Sequence, residues 1–308
     1  MKNWTQLLLM FAMLIPFPLS AQTEAYQFPI QRQPLADDWQ IAYSELGDGE
    51  QTWVFIHGLG SYSPAWNRNL EAFSQHARCI AIDLPGYGQS TQRAHAGSMD
   101  WYADRVLEFL DSMEIESPVL FGHSMGGQIA VTVALKQPER IQQLVLVAPA
   151  GFETFTEQEG AAIMGVTTPE MVEATPESQI RINFGLNFSN MPEDVEAMIQ
   201  DRFALKRTSD FKAYTQVISN SVKGMLGGPV FDRLGALKIP VLAVYGAEDQ
   251  LIPNRYLHPT LTTEQVGQAG VDALGDGTLV MLPNAGHFAM YEQAAAFEEA
   301  VLEFLISE

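Results

Sequence analysis

The sequence predicts an α/β fold in which a mostly parallel sheet carries helices on both faces. From Trp53 onward, short apolar runs alternate with helical patterns, and glycine-rich turns separate them. The runs are apolar at nearly every position, which is typical of strands buried on both faces of a parallel sheet. This alternation indicates a doubly wound architecture. It stops between residues 152 and 235, which predicts a helical insertion.

Six apolar runs are predicted as strands of the sheet. They are Trp53–Ile56, Arg78–Ile82, Pro118–Phe121, Leu144–Val147, Val241–Tyr245 and Thr278–Leu282. Residues 37–46 are expected to add an antiparallel strand in front of them.

Amphipathic helices are predicted between the strands. One predicted helix has Ser98 as its expected N-cap. Its apolar face, at helical spacing, is formed by Tyr102, Val106, Phe109, Leu110 and Met113. The same spacing near the C-terminus is formed by Phe297, Val301, Phe304 and Leu305.

Residues 152–235 are predicted to form a helical cap between two parts of a core domain, at residues 22–151 and 236–308. The segment has helical patterns at Pro192–Lys206 and Asp210–Lys223 but no convincing strand. Such an insertion is expected to cover the carboxyl ends of the strands, where α/β proteins bind ligands. A structural excursion remote from any site is the alternative. The cap contains a set of apolar side chains, and either an apolar pocket or packing within the cap would explain them. They are Phe155, Ile163, Met164, Met171, Ile182, Phe184, Phe188 and Met198.

Residues 1–21 are predicted to be a signal peptide. Lys2 gives a positive start, residues 7–19 are apolar, and Leu19-Ser20-Ala21 is a small-residue cleavage site. The apolar stretch, interrupted by two prolines, is too short for a membrane span, which needs about 20 residues. We therefore expect an exported protein, periplasmic or secreted, with no membrane span after cleavage. An uncleaved membrane anchor is the alternative.

The charge balance limits the partners of this chain. Its 308 residues include 37 Asp and Glu against 17 Lys and Arg, so the formal net charge is −20. Binding of nucleic acid or of anionic lipid needs clustered cations. We therefore expect a small-molecule substrate and no nucleic acid. The single cysteine, Cys79, excludes an internal disulfide and is expected to be a buried core residue.

A candidate nucleophile follows the strand predicted at Pro118–Phe121. The stretch Gly122-His123-Ser124-Met125-Gly126 matches G-x-S-x-G, which places a serine on a sharp, strained strand-to-helix turn. Side chains at Gly122 and Gly126 would collide across that turn. A helix predicted at Met125–Lys136 begins directly afterwards, and its dipole favours negative charge near Ser124. The pattern therefore predicts Ser124 as the nucleophile.

A serine nucleophile needs a general base. Among six histidines, His287 follows the last predicted strand and is expected at the same sheet edge as Ser124. His123 is expected to point away from the site. Solvated positions near loops or helix ends are expected for His76, His95 and His258.

A carboxylate must orient the imidazole and stabilise the imidazolium. Asp249, which follows the strand Val241–Tyr245, is predicted to do so, and Glu248 is the alternative acid one position away. The chain order Ser124, Asp249, His287 is that of the α/β-hydrolase triad and differs from the two protease orders.

Two backbone N–H groups are predicted to stabilise negative charge on a reacting carbonyl oxygen. One belongs to Met125, the residue after the nucleophile. The other belongs to Leu59, in the loop His57-Gly58-Leu59-Gly60 after the first predicted parallel strand. His57 is expected to brace this loop. Asp83, in the motif Asp83-Leu84-Pro85-Gly86-Tyr87-Gly88, is expected to support a turn and not to act in catalysis.

No cofactor or metal is expected. Gly58-Leu59-Gly60 and Gly86-Tyr87-Gly88 both lack the third glycine of a dinucleotide-binding motif. Neither the phosphate-binding pattern G-x-x-x-x-G-K-[ST] nor the zinc-binding pattern H-E-x-x-H occurs in the sequence.

Together these motifs resemble the α/β-hydrolase superfamily over roughly residues 38–308. The motifs are His57–Gly60, Asp83–Ser90, Gly122–Gly127, Gly246–Asp249 and Gly286-His287. The resemblance implies a mostly parallel sheet of the eight-stranded type. It also implies that the cap frames the acyl pocket.

The resemblance favours hydrolysis of carboxylic esters of small or apolar substrates through an acyl-enzyme on Ser124. Haloalkane dehalogenases and epoxide hydrolases of this fold use an Asp nucleophile, which Ser124 excludes. Proline iminopeptidases usually have Gly-Gly-Ser-Trp-Gly, from which Gly122–Gly126 departs. Carbon–carbon bond hydrolases of aromatic degradation share Ser-Met-Gly-Gly, but usually have a Gly-Pro-Gly-type stretch where this chain has Gly60-Ser61-Tyr62-Ser63. Two alternatives stay open: a carbon–carbon hydrolase of the meta-cleavage type, and a non-catalytic ligand-binding member of the fold.

Overall fold

The predicted apolar runs form one central sheet. Within residues 24–306, which the computed structural model describes, the strands number eight. They are β1 (Gln31–Pro34), β2 (Gln40–Leu46), β3 (Thr52–Ile56), β4 (Arg78–Ile82), β5 (Val119–His123), β6 (Gln143–Val147), β7 (Val241–Gly246) and β8 (Gly277–Leu282). Their order across the sheet is β1-β2-β4-β3-β5-β6-β7-β8. β2 is antiparallel to both of its neighbours, and the other pairs are parallel, which confirms the predicted fold class.

All six predicted runs are strands, and their ends differ from the prediction by no more than two residues. β2 is the antiparallel strand expected within residues 37–46. The prediction misses β1, because its sequence Gln31-Arg32-Gln33-Pro34 is polar and largely exposed. This edge strand is held by backbone pairing to β2 and not by an apolar face.

Helices cover both faces of the sheet. They are α1 (Asn67–Phe73), α2 (Met99–Ser112), α3 (Met125–Lys136), α4 (Glu157–Gly165), α5 (Pro169–Ala174), α6 (Glu177–Gly185), α7 (Val195–Lys206), α8 (Phe211–Gly227), α9 (Thr263–Ala273), α10 (Ala289–Glu292) and α11 (Ala294–Ile306). Short 3-10 helices lie at Ala36–Asp38, Ser63–Trp66, Pro138–Arg140 and Phe231–Ala236. The predicted N-cap of α2 is confirmed, since the Ser98 hydroxyl accepts a hydrogen bond from the N–H of Trp101.

The strands contribute to two apolar layers. In β3, Val54 and Ile56 pack into the layer that contains α2, α3 and α9, whereas Trp53 and Phe55 pack into the layer with α1, α10 and α11. Cys79 belongs to the second layer and is fully buried, as predicted. Burial raises the pKa of its thiol to about 12, which makes it an inert core side chain.

Residues 152–235, the cap segment, lie between β6 and β7. All of these residues are described, and the segment contains α4 to α8 and no strand. The helical patterns predicted at Pro192–Lys206 and Asp210–Lys223 correspond to α7 and α8. Two contacts hold α7 over the loop after β3: the Tyr62 hydroxyl donates to Asp201 at 2.6 Å, and Arg202 donates to the carbonyl of Gly60.

The predicted signal peptide, residues 1–21, lies outside the described residues. Within residues 24–306, no helix combines the length and the apolar composition that a membrane crossing requires.

Candidate active site

The carboxyl ends of the parallel strands bring the three predicted residues to one edge of the sheet. Ser124 directly follows β5, Asp249 lies in the turn after β7, and His287 lies in the loop after β8. In the sheet, β7 pairs with β8, and β6 lies between β5 and β7. A hydrogen bond of 3.1 Å from Nε2 of His123 to the carbonyl of His287 joins the turn of Ser124 to the loop of His287.

Ser124 stands on a strained turn between β5 and α3. Its backbone has φ 52° and ψ −118°, a region that residues other than glycine rarely occupy. A Cβ added at Gly126 would lie 2.6 Å from the carbonyl oxygen of His57, and one added at Gly122 would lie 2.6 Å from Cα of Gly127. The predicted collision across the turn is therefore confirmed for Gly122, whereas Gly126 is required by the close approach of β3 and the loop after it.

His287 and Asp249 form a buried pair. Nδ1 of His287 lies 2.8 Å from Oδ2 of Asp249, and the two side chains are 5% and 0% exposed. The other carboxylate oxygen of Asp249 accepts hydrogen bonds from the N–H groups of Leu251 and Ile252, at 2.8 and 3.1 Å. An imidazole that donates through Nδ1 keeps Nε2 as its acceptor, the nitrogen that a general base uses.

The neighbouring carboxylate of Glu248 has a different partner. It accepts a hydrogen bond from the hydroxyl of Ser189, in the cap segment. The structure thus brings Asp249 to His287 and directs Glu248 towards the cap.

His123 joins the turn of Ser124 to the loop of His287. It is buried, and its Nε2 donates to the backbone carbonyl of His287 at 3.1 Å. Its ring packs beside the rings of His287 and Phe288, with centroids 4.8 and 4.4 Å away, so it does not simply point away as expected. Burial lowers the pKa of His123 well below its ordinary value, so this ring is neutral at pH 7.

The predicted oxyanion donors lie in two segments that touch. A Cβ added at Gly58 would lie 3.0 Å from Cβ of Ser124, so the loop that carries Leu59 packs against the turn. Met125 is the first residue of α3, where an N–H has no partner within the helix. Among the described residues, neither the N–H of Leu59 nor that of Met125 donates a hydrogen bond.

His57 braces this loop, as predicted. Its Nδ1 donates to the carbonyl of Gly58 at 2.8 Å, and its Nε2 accepts from the N–H of Leu84 at 2.9 Å. Burial lowers the pKa of His57 to about 4, which keeps the ring neutral and suited to both bonds.

Asp83 supports the adjoining turn, also as predicted. It is fully buried, and its carboxylate accepts from the N–H groups of Ser63 and Gln89, each at 2.7 Å, and from the Tyr26 hydroxyl at 2.5 Å.

The prediction of solvated histidines is right for His76, which is exposed, and wrong for two others. The ring of His95 stacks on Trp101 at 4.1 Å, and burial lowers the pKa of His95 to about 4. His258 pairs with Glu153 and Glu159 of the cap segment. Packing from distant parts of the chain covers both loops, and such packing leaves no local sequence pattern.

A cavity of about 490 Å³ adjoins the site. Its wall includes Leu59, Leu251 and Phe288, which are neighbours of the candidate residues in the chain. Four of the apolar cap residues named from the sequence also line it, namely Met171, Phe184, Phe188 and Met198. Ile182, by contrast, is 56% exposed. The one charged side chain among the described lining residues is Arg202.

Sequence reasoning missed two carboxylates that bind the loops of the site. Glu292 accepts from the N–H groups of Gly286, Ser189 and Asn190, at 2.6, 3.1 and 2.8 Å, and so links the His287 loop to the cap segment. Glu153 binds Asn254 and His258 in the loop after β7. Glu153 follows β6 closely, at the same edge of the sheet as Ser124 and His287. This position in the sequence is the signal that could have identified it. Within residues 24–306, no group of three His, Cys, Asp or Glu side chains is arranged to hold a metal ion.

A family model described as the alpha/beta hydrolase fold matches residues 53–294 of this chain. The chain belongs to the alpha/beta hydrolase fold family. The resemblance stated from the motifs is thereby confirmed, and so is the class of the enzyme, a hydrolase.

This α/β hydrolase has curated relatives of differing activity. The dihydrolipoyllysine-residue acetyltransferase component of the acetoin cleaving system of Cupriavidus necator is 29% identical over 287 residues, which cover 91% of this chain and 69% of that protein. The 2-hydroxy-6-oxononadienedioate/2-hydroxy-6-oxononatrienedioate hydrolase of Cupriavidus pinatubonensis is 27% identical over 288 residues, 87% of this chain and 91% of that protein. A solved structure, a probable hydrolytic enzyme of Pseudomonas aeruginosa PAO1, shares the fold with a TM-score of 0.80 and 22% identity, over 91% of this chain and 95% of that one.

Proposed function

We propose that this α/β hydrolase cleaves carboxylic esters with apolar acyl groups through an acyl-enzyme on Ser124. The observation that supports this most is the buried hydrogen bond of 2.8 Å between His287 and Asp249, at the edge where Ser124 occupies its strained turn. A nucleophile, a base and an orienting acid on three neighbouring loops are the parts that acyl transfer requires.

The reaction proceeds in two steps. The Ser124 hydroxyl attacks the ester carbonyl while Nε2 of His287 takes its proton, and the N–H groups of Leu59 and Met125 hold the resulting oxyanion. Asp249 stabilises the imidazolium, which then protonates the leaving alcohol. A water molecule attacks the acyl-enzyme with His287 again as base, and the carboxylic acid and Ser124 are released.

The cavity favours an apolar and uncharged acyl group. Its wall is mainly aliphatic and aromatic, and Arg202 is the lone charged residue among those described there. The Arg202 guanidinium already donates to the carbonyl of Gly60 and lies 4.6 Å from the ring centroid of Tyr214. The net charge of −20 also disfavours the approach of a dianion.

A carbon–carbon bond hydrolase is the second candidate. Arg202 favours it, because a guanidinium in an apolar cavity is suited to a substrate carboxylate. The relative from Cupriavidus pinatubonensis carries the name of a hydrolase of dienedioates, which have two carboxylates. The cavity offers one cation, Arg202, to a substrate with two carboxylates. We therefore rank this candidate below ester hydrolysis.

Hydrolysis of p-nitrophenyl esters from acetate to palmitate, beside turnover of a 2-hydroxy-6-oxo-dienedioate, tests both candidates. We expect ester hydrolysis in the wild type and a loss of at least about 10⁴-fold in kcat/KM in Ser124→Ala, with an unchanged circular dichroism spectrum. Cleavage of the dienedioate without ester hydrolysis would select the second candidate. Unimpaired turnover in Ser124→Ala would refute both, and saturable binding without any turnover would indicate a ligand-binding member of the fold.

We also propose that the chain is exported through residues 1–21. N-terminal sequencing of the protein from a periplasmic or medium fraction tests this proposal. A chain that begins at Gln22 supports export with cleavage, whereas an intact Met1 in a membrane fraction indicates an uncleaved anchor.

A further inference from the structure

A second buried carboxylate binds the loop that carries Asp249. Glu153, in the first residues of the cap segment, is 8% exposed. Its two oxygens lie 2.8 and 3.1 Å from the backbone nitrogen of Asn254, whose N–H donates to them. Nδ1 of His258 lies 2.5 Å from the first of these oxygens.

The partners of Glu153 belong to the loop that carries Asp249. This loop runs from the end of β7 to the start of α9. Near its beginning, Asp249 accepts from the N–H groups of Leu251 and Ile252. Farther along, Asn254 and His258 are held by Glu153. One loop thus has the triad acid at one end and is fastened to the cap segment at the other.

The two carboxylates also influence each other electrostatically. Burial raises the pKa of Glu153, and the charge of Asp249 raises it further, against the hydrogen bonds from His258 and Asn254 that lower it. The Tyr245 hydroxyl, on β7, is buried, and its pKa is raised well above the ordinary value by burial and then by the charges of Asp249 and Glu153.

Two further groups that face this cluster come from the cap segment. Oε1 of Glu159, on α4, lies 3.4 Å from Nε2 of His258. The Phe155 ring stacks on the His258 ring with centroids 5.4 Å apart. The His258 imidazole is therefore placed between two carboxylates and an aromatic face, an arrangement that holds its ring in one orientation.

We propose that Glu153 is a positioning residue for Asp249, which fixes the loop from β7 to α9 and places a negative charge near the Asp249–His287 pair. This role rests on the proposed function. During acyl transfer the His287 imidazole gains a positive charge, and a nearby anion stabilises that state. Glu153 acts through Asp249 and its loop and does not itself touch the substrate.

Glu153→Gln separates the charge from the packing, because the amide keeps the volume and an acceptor for the N–H of Asn254. We expect kcat to fall about tenfold with KM changed less than about twofold. We also expect the acidic limb of the pH profile of kcat/KM to move to lower pH, since the imidazolium loses a stabilising charge. Glu153→Asp keeps the charge and is expected to leave the acidic limb at the wild-type position.

Glu159→Gln is the matched control. It changes the more distant carboxylate on His258, and glutamine still serves the capping box that Glu159 forms with Thr156 at the start of α4. We expect its kcat and its pH profile to equal those of the wild type. Equal profiles for Glu153→Gln and the wild type would overturn the positioning role, as would equal losses in Glu153→Gln and Glu159→Gln.

Labelling of Ser124 by a fluorophosphonate separates this role from the proposed function, because the reaction needs the triad but no particular substrate. Fast labelling in the wild type and slow labelling in Glu153→Gln supports the positioning role even if no ester is hydrolysed. Equal labelling rates in the two proteins, or a wild-type Ser124 that does not react, would overturn it.

Discussion

At the scale of single residues, the choice between two adjacent carboxylates decides the assignment of the triad acid. Asp249 and Glu248 both follow β7, and the spacing of the chain leaves either one within reach of a base. The turn directs Asp249 to Nδ1 of His287, where two backbone N–H groups also hold it, and directs Glu248 to the hydroxyl of Ser189. Three hydrogen-bond donors fix this buried carboxylate in the orientation that stabilises an imidazolium.

We expect Asp249→Asn to lower kcat by about 10⁴-fold, the loss seen when the corresponding change in a serine protease favours the wrong histidine tautomer. Glu248→Gln should change kcat less than about threefold, because Glu248 contacts the cap and not the base. Steady-state kinetics on the best ester of the panel measures both. An unchanged kcat in Asp249→Asn together with a large loss of kcat in Glu248→Gln would show that the acid is Glu248.

At the scale of elements, the β5–turn–α3 unit is the part of the site that depends most on local sequence. The motif Gly122-His123-Ser124-Met125-Gly126 predicts the end of the strand, the strained serine and the start of the helix, and all three are found. Gly126 is required because the strand β3 and the loop after it pass so close that a Cβ there would meet the carbonyl oxygens of Ile56 and His57. Backbone atoms cannot move aside as a flexible side chain can.

Gly126→Ala should therefore lower the free energy of unfolding by about 3 kcal/mol. Gly160→Ala is a matched control within α4, where the nearest atoms to an added Cβ are those of Leu226 at 3.9 and 4.0 Å. The free energy of unfolding of this control should increase by about 0.5–1 kcal/mol, since alanine loses less backbone entropy than glycine when a helix forms. Urea unfolding measures both changes. A Gly126→Ala variant as stable as the wild type would show that the approach of β3 to the turn is not tight.

At the scale of the whole molecule, stability in mild acid depends on histidines that are buried without charge. Burial lowers the pKa values of His57 and His95 to about 4. In the unfolded chain a histidine binds its proton near pH 6.5. As the pH falls from about 6.5 towards 4, the unfolded state binds more protons than the folded state, so the free energy of unfolding decreases. Each of these two residues contributes about 3 kcal/mol to that decrease.

We expect the wild type to lose about 2–3 kcal/mol more than His57→Gln when the pH is lowered from 7 to 4.5. His76→Gln, at an exposed position, should lose as much as the wild type. Denaturant unfolding at the two pH values, at constant ionic strength, gives the three differences. Identical losses in all three proteins would mean that His57 takes up its proton as readily in the folded state as in the unfolded state.

The fold and most of the site follow from patterns that act over short distances along the chain. Fully apolar runs separated by helical periodicity predict the parallel sheet, and the break in that rhythm predicts the cap segment, because burial on one or two faces imposes these periods directly. The turn at Ser124 follows from the same kind of evidence. Gly122 satisfies a steric requirement that is visible within five residues, whereas the requirement at Gly126 comes from β3 and the loop after it, about 70 residues earlier in the chain.

Other features depend on segments that are far apart in the chain. The edge strand β1 has a polar sequence and is held by its backbone pairing to β2. Glu153 and His258 are 105 positions apart, and Glu248 and Ser189 are 59 positions apart. A hydrogen bond between such residues imposes no period and no local steric rule on the sequence. Folding alone makes the contact, and this is why the choice of Asp249 over Glu248, the packing around His95 and His258, and the cluster around Glu153 appear first in three dimensions.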